Sequence, residues 1–184
     1  GEIQSQKEEI EQQRDFVTQQ RDRIADQQRL ITDSITYASR IQNAVLPSKT
    51  VLSRFPWQSF LFFKPRSIVS GDFYWIDKLK NGKYLVAVAD CTGHGVPGAF
   101  MSMLGITLIR EVVETDYNLT PGQMLFKLRS MVMAALNQND ESTSQSDGMD
   151  IALALIDPMS LTMEYAGAYL PVIIIRKGPL DMDV

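Results

Sequence analysis

One cysteine in 184 residues rules out an intrachain disulfide. That usage matches a reducing compartment, and a cytoplasmic location is the expectation. The single histidine, His94, is a candidate general acid, with a plain loop role as the competing reading. It also denies Cys91 a histidine outside its own turn, so Cys91 is a poor nucleophile candidate. Positive charge is not in excess. A net charge of −4 creates no field that would gather nucleic acid or an anionic membrane, and neither is expected as a partner. Long apolar runs are missing as well, and the polar opening residues are not a signal peptide. The remainder is ordinary: 45% hydrophobic content suffices for one packed domain plus an extension.

Proline and glycine are absent between Glu2 and Val45, where Glu, Gln, Arg and Lys abound, so this stretch reads as one long helix. Ile3, Ile10, Val17, Ile24 and Ile31 recur every seventh residue, and Ala38 and Val45 keep the phase. This is the a seam of a coiled coil, with β-branched residues that favour a parallel homodimer. Its d positions are Gln6, Gln13, Gln20 and Gln27, so the seam is expected to be weak and open to small inputs from an upstream sensor. An ordinary solvated helix is the competing reading. From Ser34 the stripe becomes richer through Ile35, Ala38, Ile41 and Ala44, and Pro47 ends the helix. The division expected is a coiled-coil signalling helix over 1–33, a regulatory linker helix over 34–47 and a catalytic-type domain over 48–184.

Asn81-Gly82 predicts a type I′ hairpin between two strands. The second, Tyr84 to Ala89, is apolar enough to be buried on both faces. One arm carries Asp72 near its start and the other Asp90 at its end, so the hairpin can bring both carboxylates to one cation. Oxygen-rich pairs of this kind suit Mg²⁺ or Mn²⁺, which can activate water and clamp a phosphoryl group. Thr92-Gly93-His94-Gly95 allows close backbone approach, and Pro97 opens a helix. A plain strand-to-helix turn with an Asp or Thr cap explains the same residues and stays open. Further strands are expected over Trp57–Lys64, Ile151–Ile156, Leu161–Ala166 and Val172–Arg176. Helices are expected over Phe100–Val113 and from Thr120-Pro121 to Leu136, with their methionines as core filler. Asn137 to Gly148 reads as a polar mobile loop. Arg66, six positions before Asp72, is a candidate for holding a substrate phosphate.

Gly71-Asp72-Phe73-Tyr74 and Val88-Ala89-Asp90-Cys91-Thr92-Gly93-His94-Gly95-Val96-Pro97-Gly98-Ala99 together resemble the paired signature of SpoIIE-type serine phosphatases, the bacterial branch of the metal-dependent type 2C protein phosphatases. The resemblance extends through Ile41-Gln42-Asn43-Ala44-Val45-Leu46-Pro47, Lys64-Pro65-Arg66, Asp150-Ile151-Ala152-Leu153 and Ala166-Gly167-Ala168. It implies an α/β (α+β) sandwich of two mainly antiparallel sheets flanked by helices, fed by the N-terminal coiled coil. It further implies a two-metal Mn²⁺ or Mg²⁺ site held by Asp72, Asp90 and the Cys91 carbonyl, and hydrolysis of phosphoserine or phosphothreonine by a metal-activated water. His94 falls at a variable loop position, and Asp150 in a structural strand pair. The implied substrate is a phosphorylated regulatory protein of the anti-sigma-factor-antagonist kind. The implied setting is the cytoplasmic part of a larger sensor, controlled through the helix around Ile41 to Leu46. An Asp-Gly pair and a final aspartate implied beyond Arg176 do not occur, and Trp75 replaces a frequent acidic residue. Two readings therefore stand: a phosphatase whose truncated stretch is inactive alone, and a non-catalytic dimerisation and signal-relay module of the same fold.

Overall fold

The computed structural model describes residues 1–138 and 147–176, and divides into two compact units, 1–41 and 42–184. The eight residues 139–146, which hold most of the expected polar loop, lie outside the described residues, as do 177–184.

The first unit is helix. α1 runs Glu2–Val45, so its last turn belongs to the second unit. Its heptad residues are exposed throughout, from Ile3 at 84% to Ile24 at 52%.

In the second unit a 3-10 turn, Lys49–Arg54, precedes β1 (Phe73–Lys78), β2 (Tyr84–Cys91), α2 (Val96–Thr115), α3 (Pro121–Ala135), β3 (Met149–Asp157) and β4 (Thr162–Ala168). The four strands form one antiparallel sheet in the order β1-β2-β3-β4. The architecture is α+β, as expected. The second sheet is not formed by the described residues, and two segments expected as strands are irregular. Trp57–Lys64 is bracketed by Pro56 and Pro65, and its side chains alternate: Leu61 and Phe63 are half-buried while Phe60 is 90% exposed. Extended chain of this kind becomes a strand only with a ladder partner, and among the described residues none pairs with it. Val172–Arg176 likewise has no ladder and is exposed.

The hairpin forms, but with a different turn. Only Gly82 takes positive φ, +85°, while Asn81 does not. Gly82 N–H donates to the Leu79 carbonyl at 2.9 Å, and Leu79 N–H to the Lys83 carbonyl at 2.8 Å. This is a type I turn closed by a left-handed glycine, which adds a residue to the loop and keeps the strand twist. The register Phe73↔Ala89 follows, leaving Asp72 next to Asp90 just beyond the ladder.

Both helices cover one face of the sheet. Phe73, Trp75, Leu85, Ala87, Ala89, Ile151, Leu153 and Leu155 meet Met101, Ile106, Ile109 and Val112 of α2 and Met124, Leu128 and Val132 of α3. α2 is long and apolar enough by composition to cross a membrane, which amends the expectation that no run is; half of it is buried, and it serves as the core helix of this fold. α3 begins as expected, with Thr120 and Gln123 satisfying each other's orphan N–H groups in a capping box. On the other face Phe55 and Trp57 pack on Tyr84, and Phe63 on Tyr74, with ring centroids 5.1–5.3 Å apart. That cover stops before Val88, which is 48% exposed, so β2 is buried on both faces only in its first half.

Candidate metal centre

Strand alternation puts Asp72 and Asp90 on the partly open face, at the end of the sheet where β2 leaves for the turn into α2. Three glycines bring the backbones together there. A Cβ on Gly98 would sit 2.5 Å from the Gly93 carbonyl oxygen and 3.1 Å from the Gly71 Cα, and one on Gly71 would sit 2.9 Å from the same oxygen. The lead into β1, the turn and the first turn of α2 thus touch through main chain alone. Thr92 ties the turn to β3: its N–H and hydroxyl donate to the Gly148 carbonyl at 2.9 and 3.1 Å, while Gly148 N–H donates back to the hydroxyl at 3.0 Å. α2 starts from Gly95 with no side-chain cap, so the plain capped turn weighed from the sequence is not what forms.

The segment before Asp72 is held by a buried amide. Gln42 donates through Nε2 to the Ser70 carbonyl at 2.6 Å and to Ser102 Oγ at 2.7 Å, and its Oε1 accepts from Ser70 N–H at 2.9 Å. Ser102 Oγ in turn donates to the Ser70 carbonyl at 3.1 Å. Gln42 is the one residue of α1 that is fully buried, so the end of that helix, the approach to Asp72 and α2 share one polar knot.

Within this frame Asp72 and Asp90 stand side by side, close enough for each carboxyl to act on the other. Burial raises Asp72 above its ordinary 3.8, and the charge of Asp90 and hydrogen bonding with it raise it further. Among the described residues neither carboxylate forms an ion pair with a lysine or arginine. A like-charged pair without a cationic side chain is what a bound cation neutralises, and carboxylate and carbonyl oxygens are the donors hard divalent cations take. The residues fit such an ion. The Cys91 carbonyl faces this knot, 3.4 Å from where a Gly71 Cβ would stand, whereas its thiol is buried and pushed up to about 12, first by burial and then by Asp90 and Asp72. That thiol is no nucleophile.

His94 is exposed in the turn. Arg66 is exposed in a bend and is not brought onto either carboxylate. Asp150 lies directly across the ladder from Asp90, yet no group of three or more acidic, histidine or cysteine side chains converges among the described residues. Sequence reasoning missed Gly71, Gly98 and Gln42 as positioning residues. A glutamine on the inward face of an otherwise apolar helix end was the available signal for the last.

Residues 80–180 match the profile of the family described as Stage II sporulation protein E (SpoIIE). Among solved structures, the SiaA-PP2C domain of Pseudomonas aeruginosa is similar: 34% identity and a TM-score of 0.67, over 77% of this chain and 55% of that one. The chain therefore spans about half the length of that relative. No curated protein sequence matches.

Proposed function

The chain belongs to the SpoIIE family of PP2C-like phosphatase domains, and on that ground we propose that the part from residue 48 onward supplies metal-dependent protein serine/threonine phosphatase chemistry. The observation that carries this reading is the placing of Asp72 beside Asp90 at a glycine-packed turn. Mn²⁺ or Mg²⁺ is the ion such oxygens would hold, with the Cys91 carbonyl as a further donor; when bound it supplies an acidified water and positive charge for a phosphoryl oxygen.

The chain's own residues do the rest. Asp72 and Asp90 present their oxygens as one acidic cleft, and the Gly71–Gly93–Gly98 contact keeps the two backbones at that spacing. Thr92 fixes the turn against β3, so the cleft does not spread as charge enters it. Arg66 stands upstream as the guanidinium for a substrate phosphate. The substrate class is a phosphoserine or phosphothreonine protein, of the anti-sigma-factor-antagonist kind that the family resemblance suggests. Control enters through the end of α1, because Gln42 joins that helix to the backbone two residues before Asp72.

The test is Mn²⁺-dependent release of phosphate from a phosphoserine peptide by the protein. Asp90→Asn is expected to lower turnover by more than about 100-fold, since even outer-shell partners of a metal cost about 10–100-fold. Turnover unchanged by the substitution overturns the assignment of Asp90, and no Mn²⁺-dependent turnover in the parent overturns the reading and leaves a non-catalytic relay module of the same fold.

A further inference from the structure

We propose that a cavity beside the metal turn is a specificity pocket for the phosphorylated protein, taking one bulky apolar side chain of that protein with an acidic residue next to it. The cavity measures about 670 Å³, a size that binds ligands, and lies between α3 and the metal-side ends of β3 and β4. Leu125, Leu128, Val132, Ile151 and Ala168 give it an apolar lining.

Its mouth has the composition of a binding surface. Phe126 and Tyr169 line it and are nonetheless 72% and 92% exposed. Arg129 lines it too, and among the described residues it makes no ion pair. Aromatic rings and arginine over an apolar pocket are what dominate binding energy where proteins meet. Tyr169 is moreover held at φ +63°, a conformation that a bulky residue rarely takes. The Tyr165 hydroxyl fastens the chain there by donating to the Leu170 carbonyl, and a side chain on Gly167 would collide with that hydroxyl. Backbone kept in such a region is characteristic of ligand clamps.

Position identifies the occupant. Thr92, which holds the metal turn to Gly148, is part of the cavity wall, as is Asp150, which stands across the ladder from Asp90. Two strand spacings, about 10 Å, separate β2 from β4, and an extended chain covers that in about three residues. A side chain three or four residues from a phosphoserine at the Asp72–Asp90 pair therefore reaches the cavity. A segment anchored at both points gains from effective concentration, which a free small molecule does not. The charges set its pattern: Arg129 on α3 attracts an acid, while Asp147 and Asp150 on the β3 side repel one.

This assignment of the occupant rests on the phosphatase reading, and the test separates the two. Phosphate release is measured with Mn²⁺ from phosphoserine peptides bearing Phe or Ala at each flanking position, and from p-nitrophenyl phosphate, which is too small to span the two points. Binding is read independently, in Mg²⁺, from the methyl resonances of Met133 and Met149, both in the cavity wall. Phe three or four residues from the phosphoserine is expected to raise kcat/KM at least about tenfold over Ala, through KM, and to shift both methyls. An adjacent Asp should add to the gain, and Arg129→Gln should remove what Asp added. Phe126→Ser is expected to lower kcat/KM for the preferred peptide about tenfold relative to p-nitrophenyl phosphate. Both substituted residues are exposed, and thermal melts check that the variants fold. Turnover of p-nitrophenyl phosphate with no preference among peptides and no methyl shift overturns the pocket. Peptide-dependent methyl shifts without turnover of either substrate overturn the phosphatase reading, and with it the identity of the occupant as substrate; neither shift nor turnover overturns both. Methyl shifts that follow protein concentration with no peptide present mean that a second copy fills the cavity, and also overturn the proposal.

Discussion

Residues 1–41 and 42–176 draw on the same amino acids and use them in opposite ways. In the first, isoleucines at 3, 10, 24 and 31 face solvent, and glutamines alternate with them along the helix. In the second, Ile106 and Ile109 are sealed beneath the sheet, and a single glutamine, Gln42, spends both ends of its amide on buried partners. A helix closes its backbone hydrogen bonds locally, so residues 1–41 need no partner segment for theirs. The sheet unit has no such independence. Its strands exist only through ladders, and its site only through the meeting of segments far apart in sequence.

Three substitutions sharpen that contrast. Gly98→Val should have the largest effect, because its Cβ would lie 2.5 Å from the Gly93 carbonyl oxygen and the turn must move to admit it. A loss of about 3 kcal/mol or more is expected in urea unfolding, in line with overpacked main chain, together with loss of Mn²⁺ binding. A comparable valine on the exposed face of α1, at Gln12, should change unfolding by no more than about 0.5 kcal/mol. Gln42→Ala comes next, since it strips buried partners from Ser70 N–H and carbonyl. About 2–3 kcal/mol is expected, whereas Gln19→Ala on the exposed stretch of the same helix should leave the single chain unchanged in the same measurement. Equal losses for the two would show that the buried amide contributes nothing particular.

Asp72→Asn should have the smallest effect, and of opposite sign. Because the folded protein holds Asp72 above 3.8, the native state binds the proton more tightly than the unfolded chain does. Stability from this group is present below that value and falls as pH rises through the raised one. The asparagine variant is therefore expected to be more stable than the parent at pH 7 without metal, by no more than about 1 kcal/mol because the pair is solvent-screened. The gain should vanish near about pH 4. Adding Mn²⁺ should stabilise the parent and not the variant. Thermal melts across pH, with and without the ion, check both signs.

Much of the site was legible beforehand because it depends on local rules. A hairpin signal between Asp72 and Asp90 is enough to place two carboxylates side by side, and the structure brings them together even though Asn81 does not take the expected positive φ. The strand count was less legible. Phe60-Leu61-Phe62-Phe63 carries the composition of a buried strand, but composition does not supply a neighbour to bond with, and the segment runs extended without a ladder. The Gly71–Gly93–Gly98 contact was not legible either, since nothing local to any of these glycines announces the other two.

By itself the sequence determined the long helix with its sevenfold seam, the hairpin and its two acids, and the capped start of α3, all of which follow from contacts within a few residues. Tertiary structure alone decided that main chain from three segments meets at one turn, that Gln42 is buried, and that one face of the sheet stays partly open. Those outcomes depend on which distant surfaces find each other. Burial, and with it the raised proton affinity of Asp72, belongs to the packed arrangement and not to any stretch of residues.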